Sequence, residues 1–123
     1  MKSLPLERFE ELVRQAVESL PLEFLSRLDN VDVVVERSPS AEKLAQYGLG
    51  PGETLFGLYE GVPLTGRGSF GPVMPDKITV FQRPIERACD NEEELVEEVR
   101  ATVAHEIAHY FGIDDERLDE LGL

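Results

Sequence analysis

The chain has 123 residues and carries 25 acidic against 12 basic side chains, which gives a formal net charge of −13. A surface this acidic repels phosphate backbones and anionic lipid, so we expect neither a nucleic-acid partner nor a membrane partner. The apolar fraction of 41% is typical of a globular protein, and the length favours one domain over residues 1–123.

Three features favour a cytoplasmic location. No apolar run approaches the ~20 residues that a membrane helix needs. The first five residues contain one cation and no apolar signal-peptide core. The single cysteine, Cys89, permits no intrachain disulfide, which agrees with a reducing compartment. We expect Cys89 to be a small buried hydrophobic residue and not a metal ligand.

The first half of the chain predicts a helix followed by a strand. Over residues 5–20 apolar side chains recur on one helical face, and Pro5 and Pro21 flank the segment. Residues 22–28 predict a further helical turn or two. Residues 31–36 are rich in valine and predict the first strand. Residues 37–52 are rich in glycine and proline and predict a loop, in which 40–47 can form a short helix.

The second half predicts two strands and then two helices. Residues 54–60 predict the second strand, residues 61–75 a long connection, and residues 77–83 a third strand that Pro84 stops. A long helix then begins after Asp90 or Asn91 and ends at Gly112, and a short helix covers 115–121. The predicted fold class is α+β: a compact domain with a small mixed sheet of three to four strands, packed against the N-terminal helix and the long helix.

The only two histidines, His105 and His109, lie four residues apart on the predicted long helix. Such residues share one helical face, with Cβ atoms about 5–6 Å apart. Both imidazoles can therefore reach one zinc ion, which binds nitrogen at ~2.0–2.1 Å. Glu106 lies about 100° around the helix from His105, where it can act as a base without binding the ion. The HExxH pattern thus predicts a metal-dependent hydrolase, although two exposed histidines on a charged helix would give the same letters.

The residues after this motif offer a third ligand. Gly112 follows His109 by three residues and Asp115 follows it by six, so the pattern is HExxHxxGxxD, similar to the metzincin signature with aspartate in place of the last histidine. A turn at the glycine can bring Asp115 back to the ion, and a carboxylate oxygen binds zinc at ~2.0–2.2 Å. Asp114 and Glu116 remain alternative ligands. We favour Asp114 as the N-cap of the last helix, and one Zn²⁺ held by His105, His109 and Asp115.

Beyond single motifs, the chain resembles the small bacterial zincin-like metallopeptidases, described as having a minimal matrix-metalloprotease-like domain. The matching stretches are residues 55–65, 78–85 and 105–121. The resemblance implies a compact zincin-like fold and a catalytic zinc, with His105, His109 and Asp115 as ligands and Glu106 as the catalytic residue. The chain departs from larger metzincins because no methionine follows Asp115, where those proteins carry a methionine turn.

The leading functional hypothesis is a zinc metallopeptidase that cleaves a peptide or protein substrate, with Glu106 as general base. An extended peptide can add to an open sheet edge, and residues 55–60 are the candidate strand because Gly57 allows close backbone approach. An ordinary core strand with a bulge is the equal alternative. Two other functions stay open: a non-catalytic zinc- or peptide-binding module, and a metal-dependent endoribonuclease. The negative net charge disfavours the endoribonuclease, because RNA binding needs positive charge.

Overall fold

The computed structural model describes residues 1–50, 52–61 and 75–123 of the chain. Its elements follow in the order α1 (Leu6–Glu18), α2 (Leu22–Leu25), a 3-10 turn (Ser26–Leu28), β1 (Val31–Glu36), α3 (Ala41–Gln46), β2 (Gly57–Glu60), β3 (Asp76–Phe81), α4 (Gln82–Ala88), α5 (Glu92–Phe111) and α6 (Asp115–Glu120). This mixture confirms the predicted α+β class. The connection predicted over 61–75 lies, except for its two end residues, outside the described residues.

Three strands form one mixed sheet in the order β1-β3-β2. The central strand β3 pairs in parallel with β1 and antiparallel with β2. The parallel pair needs a crossover connection, and the chain between β1 and β3 provides it. Strand β2 is shorter than predicted, since it begins at Gly57 and not at residue 54. Within the described residues, β2 pairs only with β3 and is therefore an edge strand.

The core lies where α1 and α5 meet the sheet. The apolar face predicted for α1 is confirmed, since four of its side chains are buried: Phe9, Leu12, Val13 and Ala16. On α5 the buried stripe includes Leu95, Val99, Val103 and Ile107. The helical spacing of apolar residues in the sequence predicts that Tyr110 and Phe111 belong to this buried stripe, and that prediction is wrong, because the two residues are 48% and 42% exposed. No helix in the part of the chain that the structure describes is both long and apolar enough to cross a membrane.

The segment around Pro84 differs from the prediction. The third strand ends at Phe81, and helix α4, which the sequence did not predict, begins at Gln82. Pro84 lies in the first turn of this helix, where backbone N–H groups have no acceptor within the helix. The proline therefore removes no helical hydrogen bond there, and it lies inside the first turn of a helix where we expected it only to end a strand.

Helix α4 also holds the segment that precedes α1. The Glu86 side chain is 2% exposed. Its Oε2 accepts hydrogen bonds from the Leu4 N–H at 2.7 Å and from Gln82 Nε2 at 3.1 Å. Gln82 Nε2 also donates to the Leu4 carbonyl at 2.8 Å. One carboxylate thus joins residues that are 82 positions apart in the chain.

Replacing Glu86 tests this connection. We expect Glu86→Ala to lower the free energy of unfolding by about 2–3 kcal/mol, because it leaves the Leu4 N–H without its acceptor and the buried Gln82 amide with only one of its two acceptors. Glu86→Gln keeps an acceptor oxygen and should lose less than half as much. Urea denaturation followed by circular dichroism measures both values. Equal stability of the alanine variant and the parent would contradict the assigned role.

Candidate active site

Helix α5 carries the histidine motif on its last two turns, and its two ends form as the sequence predicted. Asn91 is the N-cap, and its Oδ1 accepts a hydrogen bond from the Glu94 N–H at 2.9 Å. Gly112 follows the last turn with φ 73°, the left-handed conformation that favours glycine. The α5 helix therefore places His105, Glu106 and His109 together at one end of the sheet.

The two histidines face each other across one helical turn. Their ring centroids are 6.5 Å apart and their planes are inclined by 73°. His105 is half-buried and His109 is exposed. An ion bound at ~2.0–2.1 Å from a ring nitrogen lies roughly 3 Å from that ring's centroid, so rings that share an ion have centroids at most about 6 Å apart. The observed separation exceeds this limit by about 0.5 Å, so a shared ion would require one of the two rings to rotate.

Asp115, the predicted third ligand, does not form a three-ligand site with the two histidines in this structure. Asp115 is the first residue of α6 and is exposed, while Asp114 is the N-cap of α6, as predicted, and its Oδ1 accepts from the Arg117 N–H at 2.9 Å. In the described ranges no three His, Cys, Asp or Glu residues lie close enough together to hold a metal ion. A set made from His105, His109 and Asp115 therefore needs side chains to move. The choice between Asp115 and Glu116 stays a prediction.

Glu106 is positioned by the edge strand. This half-buried side chain accepts a hydrogen bond at Oε1 from the backbone N–H of Tyr59, at 2.8 Å. The other carboxylate oxygen has no hydrogen-bond partner among the described residues and is available to a substrate or water. The sequence analysis missed this contact, because 47 positions separate the two residues and no local pattern indicates their meeting.

Strand β2 lies along α5 in a matched register. A Cβ placed on Gly57 would meet the Thr102 side chain, Tyr59 contacts Glu106 and Tyr110, and a Cβ on Gly61 would meet the Tyr110 hydroxyl. Every second strand residue thus meets every fourth helix residue. The two spacings agree, since two strand residues span about 6.7 Å and four helical residues rise about 6.0 Å. This agreement allows the strand to follow α5 over two turns.

The close packing of α5 against β2 leaves no room for a side chain at Gly57. A Cβ there would lie 2.6 Å from Thr102 Cγ2 and 3.2 Å from the carbonyl oxygen of Thr79. The sequence had suggested that this glycine admits a substrate backbone. In the structure, atoms of α5 and β3 occupy the position that a Gly57 side chain would take.

Substitution of Gly57 should therefore push strand and helix apart. We expect Gly57→Ala to lower the free energy of unfolding by about 1–3 kcal/mol, as overpacking does. Thr102→Ser, which lacks Cγ2, should restore part of this loss in the double variant. Gly50→Ala is the matched control, because its Cβ would meet nothing nearer than 3.4 Å. Chemical denaturation of the two single variants, the double variant, the control and the parent gives the coupling free energy between positions 57 and 102. A coupling free energy of zero would contradict the close contact.

A cleft opens beside His105 and Glu106. Its volume is about 550 Å³, and residues 54–57 form one side of it. The other side belongs to α5 and consists of Glu98, Ala101, Thr102, His105 and Glu106. The small residues Ala101 and Thr102 thus leave space next to the histidine motif. The cleft is large enough for a substrate side chain.

Aromatic rings cover the opposite end of the site, next to His109. Tyr59 stacks on Tyr110 with ring centroids 3.9 Å apart, and Phe111 meets Tyr59 edge-on at 6.1 Å. The Tyr59 hydroxyl donates to Asp76 Oδ2 at 3.0 Å. These contacts hold the strand residue whose N–H positions Glu106. Cys89 lies elsewhere and is 5% exposed, as predicted, and burial raises the pKa of its thiol.

The fold and the site together define a class: an α+β domain with two histidines and a glutamate on a helix that runs along a sheet edge. The zincin-like metallopeptidase family model matches residues 28–123, and the chain belongs to this family. A conserved hypothetical protein from Thermo thermophilus is similar in structure, with a TM-score of 0.57 and 24% identity over 88% of this chain and 94% of that one. This likeness supports the fold alone. No curated protein matches the sequence.

Proposed function

We propose that this protein is a zinc-dependent peptidase in which Glu106 is the general base and His105, His109 and Asp115 hold one zinc ion. The observation that carries the proposal is the placement of Glu106, which lies between the two histidines in sequence and is held at the sheet edge by the Tyr59 N–H at 2.8 Å. Membership of a metallopeptidase family supports zinc and peptide hydrolysis at the level of the family.

The chemistry divides between the ion and the glutamate. Bound zinc would supply Lewis acidity, which lowers the pKa of water to about 7 and polarises a carbonyl group. Glu106 would accept the proton of the attacking water and deliver it to the leaving amine. Its hydrogen bond to β2 fixes one oxygen, so the second oxygen carries the proton. The strand therefore orients the base before substrate arrives.

The substrate would lie along the side of β2 that faces away from β3 in the described part of the chain. The Phe81 N–H donates to the Phe56 carbonyl at 2.9 Å, so alternate residues of β2 bond to β3 while Gly57 and Tyr59 direct their backbone groups outward. A peptide added here would pair with the outward backbone groups of Gly57, two residues before the Tyr59 N–H that Glu106 accepts. This arrangement would bring a peptide backbone next to Glu106.

The cleft and the edge strand also fit a second candidate function, a module that binds zinc or a peptide without turnover. The net charge of −13 supports a peptide and not an RNA partner for either function. The lone, buried cysteine supports a cytoplasmic setting for both.

Digestion of a peptide library separates the two functions. The zinc-loaded protein, the chelator-treated protein and the protein with zinc restored are incubated with the library, and mass spectrometry identifies new termini. We expect cleavage in the first and third samples only. Peptides that are retained by the zinc-loaded protein without new termini would contradict the peptidase and support the module.

A further inference from the structure

The cleft beside the histidine motif contains one carboxylate that the proposed mechanism does not use. Glu98 lies on α5 one turn before Thr102 and two turns before His105, and it lines the cleft together with Ala101. Within the described part of the chain Glu98 takes part in no ion pair, and its side chain is half-buried. Glu98 also borders a second cavity beside Cys89, and because it lines both cavities its charge can act on a ligand in the first one.

The walls between this carboxylate and the motif are mainly apolar. Leu55 and Phe56 face Ala101 across the cleft, whose volume is about 550 Å³. An apolar channel that ends at a carboxylate matches the lysine or arginine side chain, which has an aliphatic stem and a cationic head. An uncharged side chain would leave the half-buried Glu98 without a counter-charge.

The distance from His105 to Glu98 also agrees with the length of a lysine side chain. Seven helical residues separate Glu98 from His105, a rise of roughly 10 Å. A lysine side chain extends about 6 Å from its Cα, with bonds of about 1.5 Å, and a charge-assisted hydrogen bond adds about 2.8 Å. A cationic residue whose backbone lies beside His105 therefore reaches Glu98.

We propose that this cleft selects a substrate with a lysine or arginine next to the cleaved bond, and that Glu98 is the specificity-determining residue. The inference rests on the proposed function for the placement of the substrate backbone. Binding of the cationic side chain itself does not depend on turnover, so it is tested separately from peptide cleavage.

The experiment measures binding in the Glu106→Gln background, with zinc added, so that no peptide is consumed. Fluorescein-labelled ten-residue peptides have uncharged side chains except at one position, which is lysine, norleucine or glutamate, and fluorescence anisotropy gives their dissociation constants. We expect the lysine peptide to bind about fivefold more tightly than the norleucine peptide, the size of effect that a partly exposed ion pair gives. The preference should fall as NaCl rises.

Charge variants show whether the effect is local. Glu98→Gln should reduce the lysine preference to near unity, and Glu98→Lys should reverse it in favour of the glutamate peptide. Glu97→Gln is the matched control, since it makes the same change in net charge on the same helix outside this cleft, and it should leave the preference unchanged. Equal effects of Glu97→Gln and Glu98→Gln would overturn the proposal, as would equal binding of lysine and norleucine peptides or binding of none. If the parent cleaves no peptide while this preference holds, the peptidase proposal fails and the proposal that the cleft binds a cationic side chain stands.

Discussion

Glu106→Gln is expected to bind zinc about as well as the parent while kcat/KM for peptide cleavage falls by about 10²–10⁴, the contribution typical of a positioned general base. Glutamine cannot take a proton from water at neutral pH. Its amide oxygen can still accept the Tyr59 N–H, which Glu106 Oε1 accepts at 2.8 Å, so the fold should be unchanged. Peptide hydrolysis assays with zinc-loaded proteins, together with melting temperatures, measure both effects.

Glu106→Ala provides the comparison for this prediction. Alanine removes the base and the acceptor together, so this variant should lose activity and also about 1–2 kcal/mol of stability. A Glu106→Gln protein that cleaves peptides at the parent rate would show that another group takes the proton. Both variants are purified in the same way as the parent, so a contaminating protease would give the same residual activity in all three preparations.

The ligand set gives the second large effect. We expect His105→Ala and His109→Ala each to weaken zinc binding by at least about 100-fold, more than the loss of a residue that only supports a ligand. For the third ligand, three variants remove one negative charge each with little change of shape: Asp114→Asn, Asp115→Asn and Glu116→Gln. Only Asp115→Asn should weaken zinc binding to a similar degree. Competition with a chromophoric chelator at fixed pH gives the affinities.

The structure makes this series informative. Asp114 caps α6 through the Arg117 N–H at 2.9 Å, and asparagine caps a helix as well as aspartate does, so Asp114→Asn should leave the fold intact. A large effect at Glu116 with none at Asp115 would move the third ligand by one position. Small effects at all three would leave a two-histidine site and favour the non-catalytic module.

Much of the local structure could be predicted from the sequence. The ends of α5 follow from Asn91 and Gly112, whose conformations depend on near neighbours in the chain. The buried face of α1 follows from helical periodicity. Pro84 was misinterpreted because a proline after a strand fits both a strand end and the first turn of a helix. Short-range patterns could not decide between them.

By itself, the sequence determined which residues are candidates for the site: one pair of histidines four positions apart, the glutamate between them and the acidic residues after Gly112. The spacing of residues on a helix is a local property, so the sequence alone predicts that the two histidines share one helical face. Only the tertiary structure decided what surrounds them. It gave Glu106 its bond to Tyr59, closed the space at Gly57 with Thr102 and formed the cleft that Glu98 lines. These contacts join β2 to α5, and they arise from packing between segments that are distant in the chain.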